Sequence, residues 1–232
     1  MLKTLKIAAF AAMLVATVAV VAAAQSTTGT VNMSANASKF VEINSGGPVS
    51  LTGNSGGGVT ADGTLNNPLA VIINLGEIGP SNLSSFVVAN VPLKIRSNAA
   101  YQVTATAVVT SSATSANRLL ASDVGFGLGA VSRTGVGVNS VGTDSNGTNG
   151  DPTAAAAGAV NGTSGRFEYA SANGSLGGFT SVGPVLSGPQ IMNAVPRSNG
   201  QGLVVPAIFA IKPQFYENGS STIAVTFTAT TP

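Results

Sequence analysis

Apolar and polar residues alternate with a period of two along most of the apolar part of this chain. From Val31 to Ile43 the odd positions are apolar except Lys39, and the even positions are polar except Phe40. Similar alternation recurs at 101–110 and 222–230, with mainly Thr or Gln on the polar side, and at 87–96, with Asn90, Pro92, Lys94 and Arg96 on that side. Successive side chains of a strand point to opposite faces, so this pattern predicts strands that bury one face and expose the other. Such strands are typical of antiparallel sheets.

Turn residues separate these segments, and no long stretch after residue 24 repeats with the 3.6-residue period of a helix. The sequence therefore predicts an all-β chain, an antiparallel β-sandwich that is Ig-like or jelly-roll-like, with a β-helix and an open barrel as alternatives. Asn218-Gly219 lies between the apolar segments 203–211 and 223–229. An Asn-Gly pair in that position predicts a C-terminal β-hairpin.

The first 24 residues have the pattern of an export signal. Lys3 and Lys6 precede an uncharged apolar stretch that ends with Ala22-Ala23-Ala24. This order predicts a signal peptide over 1–24, cleavage before Gln25 and a secreted or cell-surface mature protein over 25–232 as a single domain. An uncleaved membrane anchor is the alternative, but no basic cluster follows the apolar stretch. After cleavage, no membrane span is expected.

Composition narrows the possible functions. The chain has no Cys, His or Trp, so it lacks the residues of a Ser-His-Asp triad, of thiol catalysis and of a typical zinc site, and we expect no enzyme and no cofactor. The ten basic residues include Lys3 and Lys6, so a cleaved chain keeps eight, which equals its eight acidic residues. A neutral chain argues against nucleic-acid binding and offers little repulsion between copies, so we expect self-association.

Glycines occupy alternate positions at Gly125, Gly127 and Gly129. A strand there has one face without side chains, which predicts close packing against a neighbouring strand or a covering loop. A phosphate-binding loop would need a preceding strand and a following helix, and neither pattern is present.

A long polar insertion covers residues 139–178. Phe167 and Tyr169 alternate with polar neighbours, so a small hairpin within the insertion is one interpretation, and a variable surface loop is the other. Four oxygen-bearing residues in it form a weak candidate for calcium: Asp144, Asn146, Thr148 and Asp151. Their spacing lacks the glycine and glutamate of an EF-hand, and a solvated turn needs the same residue types, so we expect no metal there.

An export signal, an alternating segment after a short polar tail (25–30), an all-β body and a Thr-rich last strand (221–232) together resemble secreted fimbrial or spore-coat-type surface subunits. In such families a strand of one subunit completes the sheet of the next. The resemblance implies a structural or adhesive surface protein that assembles by strand pairing. The alternating segment Val31–Ile43 follows a polar tail and has a modest apolar side, so it predicts an edge strand that pairs between subunits; an edge strand that pairs only within a stable monomer is the alternative. A monomeric extracellular module that binds a ligand such as a glycan is the alternative.

Overall fold

The protein folds as an antiparallel β-sandwich. A computed structural model describes residues 33–36, 38–53, 56–62, 69–79, 86–129, 132–134, 143–144, 158–169, 174–179, 183–188, 190–191 and 202–232. Their contacts place Ser38–Pro232 in one compact unit and 33–36 in a separate one. The described strands are β1 (Val41–Ser45), β2 (Ser50–Thr52), β3 (Gly58–Asp62), β4 (Val71–Asn74), β5 (Val87–Ser97), β6 (Tyr101–Ser111), β7 (Val124–Leu128), β8 (Ser132–Thr134), β9 (Thr143–Asp144), β10 (Gly158–Val160), β11 (Phe167–Tyr169), β12 (Leu186–Gly188), β13 (Gly202–Ile211) and β14 (Ser221–Thr230). A 3₁₀ turn (Ala121–Asp123) and one short helix, α1 (Leu176–Phe179), lie between strands.

Two antiparallel sheets form the sandwich. The first has the order β1-β5-β13-β7, with β2 also paired to β5 and β8 also paired to β13. The second has the order β14-β6-β12-β9. Alternate residues of both sheets are buried between them and form the core, which includes Leu93, Ile95, Val103, Phe126, Leu186 and Val205. The predicted all-β antiparallel sandwich is confirmed.

Consecutive long strands cross from one sheet to the other. β5 belongs to the first sheet and β6 to the second, and β13 and β14 are divided in the same way. The predicted C-terminal hairpin around Asn218-Gly219 is therefore wrong, because β13 pairs with β5, β7 and β8 and has no free edge for β14. β14 pairs instead with β6 over Ser221–Thr230.

Two prolines sit opposite each other in the middle of the first sheet, and each faces a gap in the next strand. Pro92 of β5 is the register partner of Pro206 of β13. The Pro92 carbonyl accepts a hydrogen bond from Gly46, between β1 and β2, and the Pro206 carbonyl accepts one from Gly129, between β7 and β8 (2.8 Å each). In an antiparallel strand the N–H and C=O groups of one residue point toward the same neighbouring strand. Proline has no N–H, and each of these prolines faces the place where the neighbouring strand is interrupted, so the missing donor falls outside the regular ladder.

The first strand starts later than the alternation predicts. Residues 33–36 and 38–40 are not in a strand, and β1 begins at Val41. Its partner β5 ends at Ser97, and the next residue closes the ladder, because the Asn98 side chain accepts from the Phe40 N–H (2.6 Å) and donates to the Ser38 carbonyl (2.8 Å). The prediction of a strand over the whole of Val31–Ile43 is therefore wrong in its starting point. β1 itself does lie at the edge of the first sheet, as predicted.

The polar insertion contains a hairpin that covers β7. β10 and β11 pair, which confirms the first of the two interpretations of the insertion, a small hairpin that includes Phe167. A side chain at Gly125 of β7 would overlap the ring of Tyr169 in β11, so the expected close packing at this glycine is confirmed. The residues before α1 also bind to β7, since the Phe126 N–H donates to the Gly174 carbonyl (2.9 Å).

Candidate functional site

The described residues hold few groups with reactive chemistry. None of their carboxylates form a group of three or more that would suit a metal ion. Their ion pairs are Arg96–Glu42 (2.7 Å), whose side chains are partly exposed, and Arg166–Asp123 (2.6 Å), whose side chains are mostly buried. The features that stand out are an apolar cleft, an open sheet edge beside it and the buried ion pair.

An apolar cleft of about 1280 Å³ opens into the sandwich beside β14. Residues 69–79, which include β4, line one part of it, and residues 216–225 together with Phe227 line another. The remaining lining comes from inward-facing side chains of β5 and β13, from Leu119 before the 3₁₀ turn and from Val124, the first residue of β7. Its main apolar side chains are Val71, Ile73, Ile78, Phe209, Ile223, Val225 and Phe227. Protein interiors are normally close-packed, so an apolar space of this size is suited to receive another group.

Polar groups line the cleft on both sides: Asn74 and Glu77 lie on the side of β4, and the loop that precedes β14 contributes Tyr216 and Glu217. Burial raises the pKa of Tyr216, and its hydroxyl accepts a hydrogen bond from the Gln214 amide (3.0 Å). Glu217 is exposed, and its carboxylate accepts from the Ser115 N–H (2.8 Å). Hydrogen bonds from the Ser115 hydroxyl and N–H lower the pKa of Glu217, so it carries a negative charge at neutral pH.

β14 forms an open edge of the second sheet. Among the described residues it pairs only with β6. Its ten residues include no charge, no proline and no glycine, and its register with β6 runs without a bulge. At the C-terminal end of β14, Lys39 donates a hydrogen bond to the Pro232 carbonyl (2.7 Å). The other part of the strand, Ser221–Phe227, borders the cleft. Natural sheet edges are usually interrupted or charged, so an edge of this kind is a ready template for another strand.

The buried ion pair fastens the β10–β11 hairpin to the body. The Arg166 guanidinium donates to the carbonyls of Ala116 (2.7 Å) and Arg118 (3.2 Å) and to Asp123, and it lies over the Tyr216 ring at 5.4 Å. The side chain of Gln214 holds the same hairpin by bonding both backbone groups of Phe167 (3.0 and 3.1 Å). We call Asp123, Arg166 and Gln214 the clamp.

Burial dominates the electrostatics of the clamp. The Asp123 side chain is fully buried, and its Oδ1 atom has no hydrogen-bond partner, although Oδ2 accepts from Arg166 and from the Leu120 N–H (2.7 Å). Loss of hydration raises the pKa of Asp123, and this effect outweighs the opposing Leu120 hydrogen bond and Arg166 charge. The arrangement is structural, because the ligands of the guanidinium are all protein groups.

The calcium candidate cannot be assembled from the described residues. Asp144 lies in β9, opposite Leu186 of β12. Asn146, Thr148 and Asp151 lie outside the described residues. The expectation that this loop holds no metal stays a prediction.

Sequence reasoning missed the cleft and the clamp. Asp123 and Arg166 lie on different elements far apart in the chain, and no local motif links them. The cleft depends on how residues 69–79 sit against β14, which periodicity does not encode. A partial signal was available in the uncharged, unbroken alternation of 221–230.

Comparison with protein-family models, with curated proteins and with solved structures finds no match for this chain. No helix in the described ranges has the length and apolar character needed to cross a membrane.

Proposed function

We propose that this protein is an exported, non-enzymatic structural or adhesive component of the cell surface that self-associates by strand pairing. The observation that carries the proposal is the open edge of β14, which runs beside the apolar cleft. An added strand would gain main-chain hydrogen bonds from the edge, and alternate side chains would enter the cleft.

The proposed connecting segment is Val31–Ala37 of a second copy. Its odd positions are apolar and its even positions polar, as an added strand over an apolar cleft requires. Residues 33–36 are exposed and outside any strand, and Met33 is 90% exposed. The segment spans seven residues, as does the part of β14 that borders the cleft, Ser221–Phe227.

Charge supports the same proposal. The segment and β14 are both uncharged, so no like charges oppose their approach. β1 is a weaker acceptor, since it carries Glu42 and is followed by Gly46-Gly47-Pro48, which interrupts the edge.

The test measures the molar mass of the mature chain from Gln25 by light scattering over a range of concentrations. We expect oligomers that grow with concentration. Deletion of residues 25–37 leaves the unit Ser38–Pro232 intact and should give a monomer at all concentrations. Oligomers of unchanged size after this deletion would contradict the proposal.

A matched pair of substitutions tests the acceptor. Val225→Lys places a charge on the cleft side of β14 and should abolish assembly. Val108→Lys places the same charge on the opposite, exposed face of β6 and should leave assembly unchanged. Thermal melting checks that both variants fold. Equal assembly by the two variants would rule out the cleft side of β14 as the acceptor.

The alternative of a monomeric ligand-binding module draws on the same cleft. Its lining is mainly aliphatic and aromatic, which suits an apolar ligand better than a glycan. A mature chain that stays monomeric at every concentration would favour this alternative.

A further inference from the structure

The Asn218-Gly219 pair, which does not form the predicted hairpin turn, lies in the loop before β14, and both of its residues are exposed. The residue before the pair is anchored, because the Glu217 N–H donates to the Asn117 carbonyl (3.0 Å). In contrast, neither the Asn218 side chain nor the Gly219 N–H forms a hydrogen bond with any residue that the structure describes. The two groups are therefore free to react with each other.

Close packing favours glycine at position 219. A Cβ atom on Gly219 would lie 2.7 Å from Ser112 Oγ, which is too close for an ordinary contact. That oxygen is held in place, since it accepts a hydrogen bond from the Ser220 N–H (2.9 Å). The residue after Asn218 is therefore a glycine for a structural reason, and its nitrogen has no side chain beside it to hinder the approach of another group.

Asn161-Gly162 is the other Asn-Gly pair of which the structure describes both residues, and it is equally exposed. Its asparagine side chain is fixed, because Oδ1 accepts from the N–H groups of Thr163 (2.8 Å) and Ser164 (3.2 Å) and Nδ2 donates to Glu168 (3.0 Å). Such a turn holds both ends of the amide. Cγ cannot rotate toward the following nitrogen unless these hydrogen bonds break.

We propose that Asn218 is a site of spontaneous deamidation. The Gly219 nitrogen attacks Asn218 Cγ, the bond from Cγ to Nδ2 breaks, and Nδ2 leaves as ammonia with the proton of the Gly219 N–H. Water then opens the cyclic imide at either of its carbonyl groups, which gives aspartate or isoaspartate at this position. Water is the only other reactant, so the reaction needs neither an enzyme nor a cofactor.

The modification changes the charge where the cleft opens. Asn218 lines the cleft next to Glu217, which is ionised at neutral pH. Deamidation gives this loop a second carboxylate, and the isoaspartate form also adds one atom to the main chain shortly before Ser221, the first residue of β14. An aged chain therefore differs from a new one at the rim of the cleft. The inference is independent of the proposed self-association, since it concerns one chain only.

The test is peptide mapping by mass spectrometry after the folded chain is incubated at mildly alkaline pH. Cleavage by chymotrypsin after Tyr216 and Phe227 releases a peptide whose one asparagine is Asn218. We expect its mass to rise with time by the difference between water and ammonia, and the aspartate and isoaspartate products to separate by chromatography. Asn161 should react about ten times more slowly, because its hydrogen bonds must break first. An unchanged mass at Asn218, or equal rates at the two sites, overturns the inference.

Two controls separate the effect of the fold from that of the local sequence. In denaturant the hydrogen bonds of Asn161 are lost, so both sites should react at similar rates, and a difference that persists there would show that the fold does not cause it. Asn218→Gln keeps an amide but lengthens the side chain, so it should stop the reaction at this site and leave Asn161 unchanged. A glycan on Asn218, for which Ser220 completes an acceptor sequence, would block the reaction and overturn the inference.

Discussion

The end strand β7 of the first sheet and the end strand β14 of the second sheet differ in how their outer edges are protected. β7 is interrupted beyond Leu128 and covered by the residues before α1 and by the β10–β11 hairpin, which the clamp holds down. β14 is long, uncharged and paired on one side only among the described residues. Covering an edge prevents unwanted pairing, whereas an open edge invites it. The two end strands therefore differ in what they offer to another strand: the β7 edge of the first sheet is covered by several independent contacts, and the β14 edge of the second sheet has backbone groups that only β6 pairs among the described residues.

The clamp is where removal of one group should cost most. Arg166→Met keeps much of the side-chain volume but leaves the buried Asp123 without its cation, so we expect the free energy of unfolding to fall by about 3 kcal/mol. Arg96→Met breaks the more exposed pair with Glu42 and should cost about 0.5 kcal/mol. Denaturant unfolding measures both. Equal losses would show that the β7 edge owes little to the clamp.

Overpacking the covered edge should be the next largest effect. Gly125→Ala places a methyl group against the Tyr169 ring, so we expect a loss of about 2 kcal/mol. The same change in a Tyr169→Ala background should cost much less, because the obstructing ring is gone. A double-mutant cycle of thermal or denaturant unfolding gives the coupling. Additive effects would contradict direct packing of the hairpin on β7.

Features of the fold that depend on neighbouring residues could be predicted from the sequence, whereas features that depend on contacts between distant residues could not. Alternation predicts the long strands β5, β6 and β14, and the apolar segment 203–211 predicts β13, because these patterns depend on neighbouring residues. The short strands β2, β8, β9 and β12 have no such pattern, and the hairpin around Phe167 was one of two interpretations. The crossing of β13 to β14 was missed, because Asn-Gly marks a turn but not which sheet the next strand joins. The start of β1 depends on Asn98, whose side chain ends the ladder from a distant part of the chain. The clamp and the cleft arise only from tertiary packing.

The pH dependence of stability provides a smaller effect that also reports on the clamp. The pKa of Asp123 is raised above its ordinary value of 3.8 in the folded protein. Between 3.8 and the raised value the folded state therefore binds a proton that the unfolded state has lost, and this contribution makes stability fall as pH rises. Arg166 opposes the shift and Glu168 adds to it, so both face the titrating group.

Asp123→Asn removes this contribution, so the slope of stability against pH should become more positive in that window than in the wild type. Denaturant unfolding at several acidic pH values measures it. Glu217→Gln is the contrasting control, because the pKa of Glu217 is lowered and its contribution has the opposite sign. An unchanged slope in Asp123→Asn would show that the buried carboxyl does not titrate there.

The smallest expected effect tests whether the inward-facing side chains of β14 are packed less closely than those of the neighbouring strand β6. Val225 of β14 is half-buried and lines the cleft, whereas Val103 of β6 is 1% exposed in the core. Val225→Ile adds one methyl group to free space and should change the free energy of unfolding by less than about 0.5 kcal/mol, while Val103→Ile should cost about 1.5 kcal/mol by overpacking. Both residues point inward from adjacent strands, so strand propensity is matched and only the surrounding space differs. A large loss in Val225→Ile would mean that this part of the cleft is already filled in the free monomer, and an added strand would then have no room for its side chains.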